Sequence, residues 1–352
     1  MGKFKFDVAI GNPPYQEEAP GESTSDKPIY HLFMDAVYEV APVVELVTPG
    51  RFLFNAGGTP KAWNKKMLQD EHLKVEVYEP DSTKMFPGVS FEGGIAITYR
   101  DSNTNFGSID FFVPWKELQS ICHRVIKSEG FVGVNTMVSG RTPYLFTDAL
   151  HRDFPDAAKK LSKGHMRDVS SNILSVLPEV FLDAPIDGVP CYRCLGRYKN
   201  DRAYRWIKAE YVRGREKNFT GKWKVLLPKA NGRSSTIGES AARLTGIPVV
   251  GEPNDIATDT FIVIGAFDSF VEAENLMKYI KTKFCRVLLG ILKITQDNLK
   301  DTWRCVPVQN FTSSSDIDWT QSIHGIDQQL YKKYAFTDEE KAFIENHVKE
   351  MD

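Results

Sequence analysis

Between residues 4 and 99 the chain alternates short apolar runs with longer segments of mixed character. The runs at 4–10, 43–48, 73–78 and 95–99 are rich in Val, Ile, Leu and aromatic residues and have the length of strands, while 28–40 and 60–71 have the length and spacing of helices. That alternation feeds a mostly parallel sheet covered by helices, an α/β arrangement. Residues 95–99 and 109–113, separated by the polar Asp101-Ser102-Asn103-Thr104-Asn105, predict a hairpin. Trp115, Leu118, Ile121 and Val125 recur at helical spacing, so a helix over 114–130 closes this region and the domain boundary falls at 130/131.

Beyond 131 the pattern changes to scattered short strands, an α+β texture. Residues 260–265 predict a strand, followed by a helix whose cap Ser269 has Glu272 three residues on; apolar positions carry that helix through Tyr279, Ile280, Phe284 and Leu288. Thr337 and Glu340 repeat the capping spacing ahead of a final helix over 338–350.

The first apolar run ends in Asn12-Pro13-Pro14-Tyr15. Neither proline can donate to a ladder and each restricts its predecessor, so a strand stops here sharply and leaves functional groups at its carboxyl end, where open α/β sheets bind ligands. These residue types suit attack by an aromatic amine. Its lone pair is delocalised into the ring, and two fixed acceptors, the Asn12 side-chain oxygen and the Pro13 carbonyl, would take its two hydrogens and push the nitrogen toward tetrahedral geometry. A base reaches such a site only outside its duplex, and the Tyr15 ring offers a stacking surface.

With this turn the chain resembles the amino-group DNA methyltransferases of restriction-modification systems, specifically the adenine-N6 enzymes whose target-recognition region follows the catalytic domain (the gamma-type motif order). Further motifs in family order are Pro28-Ile29-Tyr30-His31-Leu32-Phe33-Met34-Asp35-Ala36, Glu45-Leu46-Val47-Thr48-Pro49-Gly50-Arg51-Phe52-Leu53 and Met85-Phe86-Pro87-Gly88-Val89. The resemblance implies an incomplete Rossmann-like methyltransferase sheet over 1–130, then an α+β DNA target-recognition domain over 131–352 that ends in a helix. It also implies S-adenosylmethionine as methyl donor. Asn12, Pro13, Pro14 and Tyr15 would hold the adenine, Phe86 would pack on the base from the other side, and Phe33 would lie against the donor's adenine. The family's glycine-rich donor loop lies upstream of this turn, and the pairs Gly57-Gly58 and Gly93-Gly94 lack its strand-loop-helix context. The expectation is therefore a carboxyl-terminal portion: a truncated piece of a longer protein, a split gene product, or a subunit completed by another chain or segment that supplies the donor-binding half. The apolar strand at 4–10 would then be an exposed edge that needs a covering partner.

Charge identifies the other partner. The formal net charge is only −2, yet it divides as −5 over 1–130, +8 over 131–304 and −5 over 305–352. From Arg193 to Arg233 there are 13 Lys and Arg against 3 Asp and Glu, interleaved with Tyr198, Tyr204, Trp206, Tyr211, Phe219 and Trp223. Beside a base-modifying turn this points to double-stranded DNA, with Arg141, Arg193, Arg197, Lys229, Arg233 and Lys293 as candidate contacts. A solvated face is the bland alternative, and RNA would satisfy the same charge. Cys191-Tyr192-Arg193-Cys194 has the spacing of half a zinc site but no second pair, so no metal is expected. The five cysteines read as reduced thiols, no apolar stretch suits a membrane span, and the expected location is cytoplasmic. Pro80-Asp81 and Pro155-Asp156 lack the downstream Glu-x-Lys of a nuclease. Three functions compete: the base-binding and recognition portion of the enzyme, a catalytically silent DNA-binding or specificity subunit, and an RNA or protein methyltransferase, since Asn-Pro-Pro-Tyr alone identifies a planar amino acceptor rather than DNA.

Overall fold

In the computed structural model the described residues are 5–17, 27–88, 93–199, 201–215, 219–231, 236–238, 240–293 and 295–351. Strand β1 (Val8–Gly11) leads through the paired ends β2 (Gln16–Glu17) and β3 (Lys27–Pro28) into helix α1 (Tyr30–Val40) and strand β4 (Val43–Pro49). A 3-10 turn (Gly50–Phe54), α2 (Lys61–Leu68), β5 (Leu73–Glu79), α3 (Ser82–Met85) and β6 (Ile95–Asp101) follow. The sheet order is β1-β4-β6-β5. Strands β1 and β4 are parallel from Val8 opposite Val43, with α1 as the crossover helix that parallel neighbours require.

The sheet is mixed rather than mostly parallel, because β6 runs antiparallel to both its neighbours. Gly94 decides this. At φ 65° it brings the chain back against the end of β5, where a Cβ would stand 2.4 Å from the Glu79 carbonyl oxygen, so β6 re-enters at the end that β5 has just left. The expected hairpin of 95–99 with 109–113 does not form. Both edges of β6 are already taken by β4 and β5, and Phe112 instead packs edge-on against Phe54 at 5.5 Å and Tyr78 at 5.3 Å. Met34, Phe52, Leu73 and Ile95 are fully buried, whereas on the edge strand Val8 and Ile10 are 52% and 77% exposed.

Residues 1–116 and 117–352 form two compact units. Helix α4 (Lys116–Ile126), expected to close the first region, has all but its first residue in the second of these units, which divide at 116/117. Its Arg124 grips Glu340 with both terminal nitrogens, at 3.0 and 3.1 Å. The second unit then runs through β7 (Tyr144–Phe146), the short helices α5 (Asp148–Asp153), α6 (Ala157–Lys160) and α7 (Ile173–Val176), and the hairpin β8 (Cys191–Tyr198) and β9 (Asp201–Lys208). After β10 (Val212–Gly214) come β11 (Trp223–Pro228), β12 (Val249–Gly251), β13 (Asp255–Ala257) and β14 (Phe261–Phe267). Several small sheets result: β12-β11-β14, β13-β8-β9 and β10-β7. Tyr144, Phe146, Leu150, Ile173, Leu195, Ile207 and Val263 belong to one core. Cys191 and Cys194, three residues apart on β8, face opposite sides of the strand.

Helices α8 (Phe270–Lys281), α9 (Lys283–Leu292), α10 (Ile323–Lys333) and α11 (Asp338–His347) complete the unit. The single helix expected from Ser269 through Leu288 is broken at Thr282, whose extended backbone (ψ 148°) makes it the cap of α9. Its hydroxyl accepts from Cys285 N at 3.1 Å, and Asp327 accepts from Lys283 N at 3.0 Å and Phe284 N at 2.8 Å, so the new helix start leaves those amides satisfied. The Thr337 and Glu340 capping box forms as read, and α11 stops at 347 rather than 350.

Strand β13 is held on β8 by a buried carboxylate. Asp255, 2% exposed, accepts from Nε and Nη2 of Arg193 at 2.7 Å each and from Glu252 N at 2.9 Å. Removing the guanidinium would leave that charge uncompensated. Arg193→Ala is expected to cost about 3 kcal/mol in urea unfolding, and a variant within about 0.5 kcal/mol of the parent would show the bridge to be neutral.

Candidate functional site

Because β4 and β5 both run antiparallel to β6, and β1 runs parallel to β4, the carboxyl ends of β1, β4 and β5 share one end of the first unit's sheet. The Asn12–Tyr15 turn leaves from that end. Asn12 and Pro14 are exposed, Pro13 and Tyr15 half-buried. The Tyr15 carbonyl accepts from Ile29 N at 3.0 Å and Tyr30 N at 3.4 Å, which fastens the turn to the start of α1. Burial pushes the Tyr15 phenol above its ordinary pKa, and a hydrogen bond with the Asn12 side chain offsets part of that rise. Behind the turn Tyr30, Phe52 and Trp63 make a buried aromatic cluster, with Trp63 edge-on to Phe52 at 5.4 Å and to Tyr30 at 6.1 Å.

Phe33 lies on α1 with 40% of its surface exposed. Phe86 is half-buried at the end of α3, its N–H on the Ser82 carbonyl at 2.8 Å. It belongs to the same end of the sheet, but β5 and β1 are opposite edges, about 14 Å apart at ordinary strand spacing. The sheet end thus carries Tyr15 on one side and Phe86 on the other.

The basic run of the second unit is not one surface. Arg193 is turned onto Asp255, as described above. Lys224 is fully buried, donating to the Phe219 and Glu252 carbonyls at 2.7 and 2.9 Å, and burial lowers its pKa to about 8. Arg197 and Lys229, by contrast, line a cleft of about 920 Å³ with Lys199, Arg202 and Arg243. Arg141 is exposed outside that lining, and Arg233 lies outside the described residues. Lys293, expected as a surface contact, is 1% exposed with its ammonium on the Thr295 carbonyl at 3.0 Å.

Residues 1–86 match the Eco57I restriction-modification methylase family. The matched span holds Asn12–Tyr15, Phe33 and Phe86; the cleft lies outside it. No curated protein sequence matches the chain. Among solved structures, the type IIG restriction endonuclease BpuSI aligns with a TM-score of 0.35 and 8% identity over 91% of this chain and 48% of its own. The type IIL restriction-modification enzyme MmeI, in complex with DNA, aligns with a TM-score of 0.40 and 11% identity over 96% of this chain and 56% of its own. The chain therefore spans about half the length of each.

The sequence singled out no individual role for Arg51, quoted only within its motif, nor for Arg202 or Arg243. The signal for Arg51 was the two glycine pairs. A Cβ on Gly57 would stand 3.0 Å from Arg51 Cδ and one on Gly93 would stand 2.6 Å from Arg51 Cγ, so these glycines form a slot for the arginine stem at the end of β4. Arg202 fell inside the basic run without being singled out, and Arg243 lay beyond it in a segment of ordinary composition.

The buried Lys293 generates a pH prediction. Burial lowers its pKa from 10.5 to about 8, so between those values the unfolded chain binds a proton that the folded chain has shed, and this lysine's contribution to stability rises with pH across that window. Lys293→Met should therefore gain most over the parent below pH 8 and lose that advantage toward pH 10.5. Urea midpoints of both proteins across this range are the measurement; a constant difference would show that Lys293 is not buried as a cation.

Proposed function

We propose that this chain is the base-binding and sequence-recognition portion of a site-specific DNA adenine-N6 methyltransferase of a restriction-modification system, acting on an adenine extruded from double-stranded DNA in the cytoplasm. The observation that carries the reading is the Asn12–Tyr15 turn at the carboxyl end of a parallel β-α-β unit, inside the span that matches the methylase family. The first unit is then catalytic and the second recognises the target. Among the described residues no helix is long and apolar enough to cross a membrane.

Asn12 and Pro13 do the chemical work. Their oxygens accept the two amino hydrogens and draw the nitrogen lone pair out of conjugation, while the Tyr15 ring, fixed through its carbonyl to the start of α1, stacks on the base. An Asn12 amide that donates toward the Tyr15 hydroxyl keeps its oxygen free to accept. S-adenosylmethionine supplies an electrophilic methyl group on a sulfonium. This chain fits that donor only in part: Phe33 presents an exposed ring, but both glycine pairs are spent on Arg51, Pro28 and Glu79 rather than on a phosphate- or donor-cradling loop. A donor-binding half that continues the sheet at β1 would cover the exposed Phe6, Val8 and Ile10.

The test is single-turnover methyl transfer to duplex DNA by the chain together with any donor-binding partner that copurifies with it, with nucleoside analysis of the product. Asn12→Ala should lose roughly 3–4 kcal/mol of barrier stabilisation, on the order of a hundred- to a thousandfold in rate, while 2-aminopurine fluorescence at the target still reports extrusion. Tyr15→Phe should be mild, and Tyr15→Ala should weaken binding by about 1–3 kcal/mol. Wild-type rates in Asn12→Ala would remove the assignment. DNA binding without any methylated base in the product would favour the silent specificity subunit.

A further inference from the structure

The cleft of the second unit draws its cations from separate parts of the chain. Arg197 comes from β8, Lys199 and Arg202 flank the turn into β9, and Arg243 precedes β12 by several residues; all four are exposed. Two glycines allow the segments to close on one another. A Cβ on Gly196 would stand 2.7 Å from Leu174 and 2.8 Å from Thr258, and one on Gly246 would stand 2.7 Å from Pro228. Lys229 is less exposed than these four, its ammonium on Asp259 at 3.0 Å, and that carboxylate also accepts from Thr142 N at 3.2 Å. Five cations, Arg197, Lys199, Arg202, Lys229 and Arg243, line the cleft against two carboxylates, Asp259 and Asp297, so its net character is positive.

Its chemistry distinguishes one polyanion from another. Sites that hold single strands offer open aromatic faces on which bases stack. Here the aromatic ring in the wall, Phe261, is 2% exposed, and the Arg202 guanidinium lies over it at 5.5 Å. A cation seated on a covered ring presents charge rather than a stacking surface. Thr245 adds a neutral donor: it lines the cleft, is 1% exposed, and its hydroxyl has no hydrogen-bond partner among the described residues. A volume of about 920 Å³ gives room for more than a single phosphate.

We infer that this cleft holds the sugar-phosphate backbone of one strand of a DNA duplex, with Arg202 and Arg243 as principal phosphate contacts and Arg197 and Lys199 beside them. The inference rests on the DNA-directed reading above and deepens it. Backbone contacts fix register without reading sequence, so this surface positions the duplex while base identity is read elsewhere.

The experiment measures duplex affinity of the full chain against salt concentration. Each neutralised phosphate contributes about 0.9 to the slope of log K against log salt, so Arg202→Gln with Arg243→Gln should lower the slope by about two units, equally on two unrelated duplex sequences. The double lysine replacement should restore most of it. Since Arg202 also donates to the Ile247 carbonyl at 2.9 Å, Lys199→Gln provides an independent variant on an exposed turn, with an expected loss of about one unit. Single-stranded DNA and inorganic tripolyphosphate should compete poorly with duplex. Unchanged slopes in variants that still bind duplex would overturn the cleft and leave the DNA reading standing. Tighter binding of the single strand or of tripolyphosphate would overturn the duplex assignment, and a parent chain with no salt-dependent duplex binding would bring down both.

Discussion

The first unit depends on a close backbone approach at one end of its sheet. Gly50 N donates to the Gly94 carbonyl at 2.9 Å, a Cβ on Gly50 would stand 2.8 Å from the Gly93 carbonyl oxygen, and Gly94 has no room for a side chain against Glu79. That contact gathers the end of β4, the end of β5 and the start of β6 into one place. Because β1 is parallel to β4, the Asn12–Tyr15 turn is delivered to the same end. The slot for Arg51 between Gly57 and Gly93 is a by-product of the same packing.

In the second unit the organising feature is the opposite, a set of buried charges. Asp255 joins β13 to β8 through Arg193, and Lys224 ties the start of β11 to the Phe219 and Glu252 carbonyls. Burial of an ammonium is costly, which is why its pKa falls, and it is tolerated because two carbonyl oxygens receive its hydrogens. The basic run therefore does two jobs. Arg193, Lys224 and, through Asp259, Lys229 are engaged inside the protein, and only part of the run is turned outward.

The sequence by itself determined the local features. Strands near 4–10, 43–48, 73–78 and 95–99, the helices at 28–40 and 60–71, the Thr337–Glu340 cap and the sharp stop at Asn12-Pro13-Pro14-Tyr15 all follow from periodicity and from residues with fixed backbone preferences, and each has its counterpart in the structure. Tertiary contacts decided the rest. The 109–113 segment reads as a strand, but strand formation needs an open edge and β6 has none. A helix through Thr282 satisfies local spacing, yet Asp327, 43 to 44 residues away in sequence, caps a new helix there. Lys293 and Arg243 look alike as charges on a line of sequence. One is sealed into the interior and the other lines the cleft, because burial depends on neighbours brought together from distant segments, and no local pattern encodes which cation will meet a carbonyl and which will meet solvent.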